Sequence, residues 1–157
     1  MVMVLQAAEI RTGLAAFIEP EKWLEHGGEC LAPPWYRIKG PHFFVCLAAL
    51  EWTSVWTALT SKAGWSGRLE IVSGEKLGHP TWVETSTFVA HPNQTWYGPS
   101  YGLREASQHD VSLVGERNYV SDQCLNRLML HCRFPSPERL AATLDSRLLT
   151  TLGPESL

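Results

Sequence analysis

Two apolar runs separated by a short polar break dominate the hydrophobic pattern of the chain. The runs are Phe43–Leu50 and Val55–Leu59, and the break between them is Glu51–Ser54. Phe, Val, Trp and Thr are frequent in this stretch, a composition typical of paired, buried strands. The pattern therefore predicts a central hairpin from Phe43 to Lys62, with polar side chains lifted out at its rim.

The residues before the hairpin predict helices. Apolar side chains recur at roughly helical spacing and predict a helix over Val2–Ile18. Pro20 suits the first turn of a second, short helix over Glu21–His26. The pair that begins at Pro33 blocks any helix, so an extended segment is expected over Trp35–Lys39.

The residues after the hairpin predict further short strands. Arg68–Ser73 and Trp82–Ala90 alternate as half-exposed strands should, and Val111–Val114 reads as a short final strand. Gly74–Pro80 is expected to be a loop, and His91–Gly102 a loop or an irregular strand.

Two helices are expected at the end of the chain. Ser121 can cap a helix whose stripe is apolar at helical spacing and which Pro135 stops. Ser136 then caps a last helix, which Gly153 ends. The stripe of the first helix is Leu125, Leu128, Met129 and Cys132, and that of the second is Leu140, Leu144 and Leu148.

This order of elements predicts the α+β class. Consecutive strands joined by short loops imply a small antiparallel sheet or barrel rather than βαβ units. The length of 157 residues fits one domain. We expect an N-terminal helical extension over 1–30, a β-barrel core over 35–115 and C-terminal helices over 121–153.

Composition and charge narrow the functional classes. The net charge of −3 argues against a protein that grips nucleic acid over a wide basic face. Residues 35–68 nevertheless hold four basic side chains and one acidic one, so a local positive site is compatible with the acidic whole. Seven tryptophans predict a groove lined with indoles. With no CxxC pair, no signal peptide and no membrane helix in the pattern, reduced thiols and a cytoplasmic location are expected.

The rim of the hairpin is the leading candidate site. Cleavage of RNA by its own 2′-OH needs a proton acceptor, a donor to the leaving oxygen, and cations or hydroxyls that stabilise the phosphorane. Hydroxyl, ammonium, guanidinium and imidazole groups can do this work. The alternative is a strand that simply ends in small polar residues and a lysine. The candidate catalytic residues are Thr60, Ser61, Lys62, His42, Arg37 and Lys39.

Two motifs carry a family resemblance. An apolar strand after a proline, Pro41–Leu47, precedes a second apolar strand that ends in L-T-S-K, Ala58–Lys62. Together they resemble the MazF/PemK family of toxin endoribonucleases and, more distantly, ToxN-like toxins. Val111–Glu116 and the helix from Ser121 are similar to that family's last strand, glycine and C-terminal helix.

The resemblance implies a fold, an activity and partners. It implies an SH3-like β-barrel, metal-independent cleavage of single-stranded RNA without a cofactor, a homodimer, and silencing by a cognate protein or RNA antitoxin. Thr60 matches the family's phosphate-contacting threonine, with Ser61 and Lys62 beside it. The family usually has an arginine directly before the proline, and this chain has Gly40 there. Arg37, Lys39 or His42 would then have to substitute.

An aromatic group supplies candidate RNA-binding residues and a rival function. Aromatic rings stack bases if they line a groove, and packing in the core is the equally weighted alternative. The rival is a non-catalytic SH3-like module that binds nucleic acid or a protein partner through a Trp-rich face. No histidine or cysteine has zinc-type spacing, so no metal is expected. The candidate RNA-binding residues are Trp82, Trp96, Tyr97, Arg68 and Arg104.

Overall fold

The computed structural model describes residues 2–64 and 67–143, and these form an α+β fold built on a mostly antiparallel sheet. The strands are β1 (Leu14–Ile18), β2 (Glu29–Cys30), β3 (His42–Ala49), β4 (Thr53–Thr60), β5 (Glu70–Ile71), β6 (Lys76–Leu77), β7 (Thr87–Val89), β8 (Thr95–Pro99) and β9 (Asn118–Val120). The helices are α1 (Pro20–Glu25), α2 (Pro80–Glu84), α3 (Leu103–Ala106) and α4 (Asp122–His131). Short 3-10 turns occupy Ala7–Glu9, Pro34–Tyr36, Ser73–Glu75 and Ser100–Gly102.

The described strands form an open sheet. Their order is β2-β8-β4-β3-β1-β9-β6, and β7 pairs with both β4 and β5 beside this path. The path ends at β2 on one side and at β6 on the other, with no pairing that closes it among the described strands. The α+β class is therefore confirmed, and the SH3-like barrel is not. Within the described ranges, no helix has the length and apolar character needed to cross a membrane.

The central hairpin is confirmed. Strands β3 and β4 pair antiparallel, with Phe44 opposite Ala58, and a bulge lies between Cys46 and Ala48. Side chains of both strands are buried almost without interruption, which explains why the sequence is apolar on both faces. Neighbours on each side complete the burial, because β1 pairs with β3 and β8 pairs with β4.

The predicted helix over Val2–Ile18 is wrong. Leu14–Ile18 is strand β1, which lies between β3 and β9 in the middle of the sheet, with Ala15 opposite Val45. Gly13, at φ +92°, turns the chain into this strand. The stretch over 1–30 is therefore not a helical extension, because it contributes β1 and β2 to the sheet. The short helix near residue 20 is confirmed as α1.

Several predicted elements after the hairpin also differ, and the expected loop Gly74–Pro80 contains strand β6. Trp82–Ala90 is not one strand, because Pro80 starts helix α2 and only Thr87–Val89 is extended. The predicted loop or irregular strand after His91 contains β8, an inner strand of the sheet. The stretch Val111–Val114 is a turn closed by a bridge from Leu113 to Glu116, and the last strand is β9.

Both faces of the sheet carry a hydrophobic cluster. One cluster joins alternate strand residues to α1 and α3, and includes Trp23, Trp56 and Trp96. The other joins the opposite residues to α2 and α4, and includes Trp82 and Leu128. A sheet covered on both faces needs strands that are apolar on both sides.

The C-terminal caps are confirmed. The Ser121 hydroxyl accepts a hydrogen bond from the Cys124 backbone N–H and starts α4. Ser136 Oγ accepts from the Arg139 backbone N–H, and residues 137–143 are helical. The rest of the predicted last helix, with Leu144 and Leu148, lies outside the described residues.

Candidate functional site

A pocket of about 280 Å³ lies at the end of the central hairpin. We call it the hydroxyl pocket because side-chain hydroxyls are the commonest polar groups of its lining. One wall comes from β3 and β4 and their ends, namely Pro41, His42, Phe43, Leu59, Thr60 and Ser61. The opposite wall comes from α2 and β7, namely Thr81, Thr85, Ser86 and Thr87, and Phe17 of β1 completes the lining.

Antiparallel pairing brings His42 and Thr60 together. With Phe44 opposite Ala58, continuing the same register by two residues sets the start of β3 beside the end of β4. Both residues are half-buried and both line the pocket. The structure thus assembles an imidazole and a hydroxyl that lie 18 positions apart in the sequence.

A backbone carbonyl sets the tautomer of His42. Its Nδ1 lies 2.9 Å from the Gly40 carbonyl oxygen. A carbonyl only accepts, so Nδ1 carries the proton and donates. In the neutral ring, Nε2 is then unprotonated and able to accept a proton, as a general base requires.

Gly40 holds that carbonyl in place through an unusual backbone conformation. Its φ is +76°, in the left-handed region that favours glycine. Its backbone N–H donates to Glu21 Oε1 at 2.7 Å, which ties the turn to α1. Arginine at this position would meet a backbone cost of about 1 kcal/mol. The glycine is therefore suited to a turn that aims the imidazole ring.

The L-T-S-K end of β4 turns sharply at Thr60. Its Oγ1 accepts a hydrogen bond from the Lys62 backbone N–H at 3.3 Å, so the oxygen serves the turn and the hydroxyl hydrogen can donate to a ligand. Ser61 and Lys62 are exposed, and Lys62 stands next to the pocket rather than in its lining. The Lys62 carbonyl accepts from Arg68 Nη1 at 2.8 Å, which anchors the turn.

Arg37 and Lys39 do not join the hydroxyl pocket. Arg37 Nε donates to the Ala32 carbonyl at 3.0 Å, and Lys39 is exposed on the turn before Gly40. Neither lines the pocket, and its described lining contains no lysine or arginine at all. The six predicted catalytic residues therefore divide into three that line the pocket, one beside it and two outside it.

For Trp82, Trp96 and Tyr97, the structure shows the second of the two alternatives, packing in the core. All three are at most 1% exposed, and they pack in the two clusters of the core. Aromatic side chains bury large areas of apolar surface, so they are favoured in the core. Arg68 is half-buried near the turn at Lys62. Arg104 lies exposed on α3, beside a different pocket that Gln6 also lines.

Lys76 is a charged residue near the pocket that the sequence did not reveal. Its Nζ is buried and donates to the Thr87 hydroxyl, to the Thr85 carbonyl at 2.5 Å and to the Trp82 carbonyl at 3.1 Å. It also lies 4.7 Å from the centre of the Trp82 ring. Burial lowers the pKa of Lys76 to about 8. The sequence predicted a loop over Gly74–Pro80, and a single lysine there carries no pattern that indicates burial.

Lys76 organises the second wall of the pocket. The carbonyls it binds lie at the C-terminal end of α2, where a positive charge is favourable. Thr87 Oγ1 accepts from Lys76 and donates to the Thr85 carbonyl at 2.8 Å, while Thr85 Oγ1 donates to the Thr81 carbonyl. These contacts hold the threonines of the wall in fixed positions.

The cysteines are unsuited to nucleophilic catalysis. All four are buried as free thiols. Burial raises the pKa of Cys46 to about 12 and those of Cys30 and Cys124 to about 11. A thiol attacks as its thiolate, so these groups stay unreactive near neutral pH. Across the described ranges, no group of three or more histidine, cysteine or acidic side chains is placed to hold a metal ion.

Comparison with known proteins adds no relative. The chain matches none of the protein-family models, none of the curated proteins and none of the solved structures with which it was compared. The functional argument therefore stands on the hydroxyl pocket and its neighbours.

Proposed function

We propose that the protein is a metal-independent endoribonuclease of the toxin–antitoxin type that cleaves single-stranded RNA at the hydroxyl pocket. One observation carries the proposal: His42, with its accepting Nε2, lines the same pocket as Thr60 and Ser61. The pocket volume of about 280 Å³ suits a phosphate with part of its ribose rather than a paired duplex.

The chemistry assigns a role to each residue. His42 Nε2 takes the 2′-OH proton, the 2′-oxygen forms a bond to phosphorus, and the bond from phosphorus to the 5′-oxygen breaks. The imidazolium or a water returns a proton to the 5′-oxygen, so the products are a 2′,3′-cyclic phosphate and a 5′-hydroxyl. Thr60 and Ser61 donate hydrogen bonds to the phosphorane oxygens as their charge increases.

In this proposal, the turn after β4 supplies the positive charge. Lys62 follows Ser61 directly and is exposed, so its flexible side chain can fold over a bound phosphate. Arg37 and Lys39 lie outside the pocket and would act on flanking phosphates. The family resemblance adds an SH3-like barrel, a homodimer, a cognate antitoxin and a cytoplasmic location to the proposal.

The second candidate is a module that binds nucleic acid or a protein partner without cutting. It is favoured by the lining of the hydroxyl pocket, where no described residue is a lysine or arginine. A phosphorane without a cation in its pocket is stabilised less than one held by an ammonium or guanidinium group.

The test is cleavage of a labelled single-stranded RNA by purified protein in EDTA. We expect the His42→Ala variant to lose at least 100-fold in rate, because general-base catalysis contributes about 10²–10⁴-fold. Thr60→Ala should lose about 10-fold or more by removing one donor. The matched controls are His109→Ala and Thr12→Ala, which alter exposed residues outside the pocket.

Three results decide the outcome. A 2′,3′-cyclic phosphate product and resistance of a strand with 2′-deoxyribose at the cut position support internal attack. Full activity of His42→Ala overturns the mechanism. Binding of RNA without cleavage by the parent protein selects the non-catalytic module.

A further inference from the structure

Two neighbouring aromatic side chains are largely exposed to solvent rather than packed in the core. Trp35 is 81% exposed and Tyr36 is 67% exposed, both on the 3-10 turn that follows Pro33. They line a cleft of about 350 Å³ together with His91 and Asn93. We call this the aromatic cleft.

The backbone beneath the rings is firmly held. Gln94 is buried, and its Nε2 donates to the Tyr36 carbonyl. Its Oε1 accepts from Trp96 Nε1 at 3.2 Å and from the Ile38 backbone N–H at 3.4 Å. A buried amide thus ties the turn to the core. The rings are exposed to solvent, and the backbone that carries them is already ordered before a ligand binds. This order lowers the entropic cost of binding.

A groove adjoins the aromatic cleft on the side of strand β7. It encloses about 230 Å³, and His91 lines both the groove and the cleft. The groove is also lined by Val89, whose register partner on β4, Leu59, lines the hydroxyl pocket. Arg68 lines the groove and also contacts the turn beside the hydroxyl pocket, because its Nε donates to the Ala90 carbonyl while its Nη1 donates to the Lys62 carbonyl.

The charged side chains that line the groove, the cleft and the hydroxyl pocket are basic. Arg68, His91 and His131 line the groove. No aspartate or glutamate is among the described residues that line the groove, the cleft or the hydroxyl pocket. The pKa of His131 is lowered by burial and by the neighbouring His91, which is what two imidazoles facing one groove produce. An anionic ligand in the groove would favour the protonated form of His131 and so raise its pKa.

We propose that the aromatic cleft is a base-stacking subsite for single-stranded nucleic acid, whose backbone runs along the basic groove into the hydroxyl pocket. The identity of the strand in the hydroxyl pocket rests on the proposed function, whereas stacking in the cleft does not need cleavage. Rings that stack bases are sequence-tolerant and contribute about 1–3 kcal/mol per base. The charge of the groove favours a phosphate backbone over a peptide.

The experiment measures binding separately from cleavage. A fluorescein-labelled single-stranded 2′-deoxyoligonucleotide cannot undergo 2′-OH attack, so anisotropy reports affinity alone. We expect Trp35→Ala and Tyr36→Ala each to weaken binding about 10-fold, and Trp35→Phe to restore most of it. Trp52→Ala is the matched control, because Trp52 is also exposed (47%) but lies at the turn between β3 and β4.

An abasic strand of the same length separates stacking from charge. It should bind more weakly than the parent strand and be insensitive to Trp35→Ala, while higher salt weakens both strands. Equal affinities of the Trp35→Ala and Trp52→Ala variants overturn the proposal. So does failure of the parent protein to bind the strand, or preference of the cleft for a proline-rich peptide. Trp35-dependent binding without RNA cleavage upholds this subsite and overturns the nuclease.

Discussion

Lys76 is a single residue on which one wall of the hydroxyl pocket depends. Its ammonium donates to the Trp82 and Thr85 carbonyls and to the Thr87 hydroxyl. No carboxylate is among these three acceptors, so the groups in direct contact with the charge are dipoles and the Trp82 ring. Burial lowers the pKa of Lys76, and the charge of Glu70 offsets only part of that shift.

The pH dependence of folding should reveal this ionisation. The pKa of Lys76 falls to about 8 in the folded state, below that of an exposed lysine, so the unfolded chain binds more protons above pH 8. The stability of the parent should therefore rise relative to Lys76→Met as the pH increases from about 7.5 to 10, by about 1 kcal/mol per pH unit.

Urea unfolding of the two proteins at matched pH measures this difference. Both proteins carry Cys124→Ala in this comparison, because the Cys124 thiol is the one whose charge interacts with that of Lys76. A difference in stability that stays constant over this pH range would show that Lys76 keeps an ordinary pKa.

At the scale of elements, glycines set how closely neighbouring segments approach. Gly98 in β8 has φ +151°, and a Cβ there would lie 2.8 Å from the Gly28 Cα and 2.9 Å from the Gly27 carbonyl oxygen. Both contacts are to backbone, so the turn after α1 would have to move. Strand β8 and the turn after α1 approach this closely only because Gly98 and Gly28 carry no side chains.

Gly98→Ala should therefore destabilise the protein by about 2–3 kcal/mol, from backbone strain and overpacking together. The control is Gly74→Ala, because a Cβ at Gly74 meets nothing within 4 Å and its φ is not positive. Thermal unfolding of both variants measures the difference. Equal melting temperatures for the two variants would contradict the close approach.

At the scale of the whole molecule, Arg117 joins segments that are far apart in the sequence. Its guanidinium is buried and donates to Glu9, to the Met3 and Val4 carbonyls, and to Asp110 at 3.2 Å. Asp110 in turn accepts from the Phe17 backbone N–H of β1 at 2.7 Å. One ion-pair network thus holds the N-terminal segment and β1 against the turn before β9.

Arg117→Met should cost about 3–5 kcal/mol at pH 7, because it leaves the buried Asp110 carboxylate without its partner. Burial already raises the pKa of Asp110, and Arg117 opposes that shift. Protonation of Asp110 should therefore shrink the loss as the pH falls from 7 toward 4. Denaturant unfolding measures it, with Arg104→Met, an exposed arginine of α3, as the control. Similar losses in the two variants would refute a structural role for the network.

Strand β1 shows why parts of the fold were not predictable from local pattern. Helix propensities differ by less than about 1 kcal/mol per residue, so the apolar residues before Ile18 satisfy a helical spacing at almost no cost. Burying one such side chain between two strands is worth about 1.5–3 kcal/mol. The pairing partners Val45 and Tyr119 lie far along the chain, so this gain is invisible in a local window.

The candidate site was likewise predictable from the sequence only in part. His42 and Thr60 were predictable together, because a hairpin necessarily brings the start of its first strand to the end of its second. Lys76 and the threonines of the second wall were not, since α2 meets the hairpin through the core that Trp82 fills and β7 through its pairing with β4, and both contacts join distant parts of the sequence. Which tryptophans are exposed was equally undetermined, because Trp35 and Trp96 look alike until the volume of the core is known.

The amino-acid sequence by itself determined the α+β class, the central hairpin and the capped C-terminal helix. Each of these depends on interactions within a few residues, such as consecutive strand-forming side chains or the Ser121 hydroxyl on a nearby backbone N–H. Only the tertiary structure decided the inner positions of β1 and β8, the open path of the sheet and the two walls of the hydroxyl pocket. These depend on burial between distant segments, where the free energy gained exceeds any local preference.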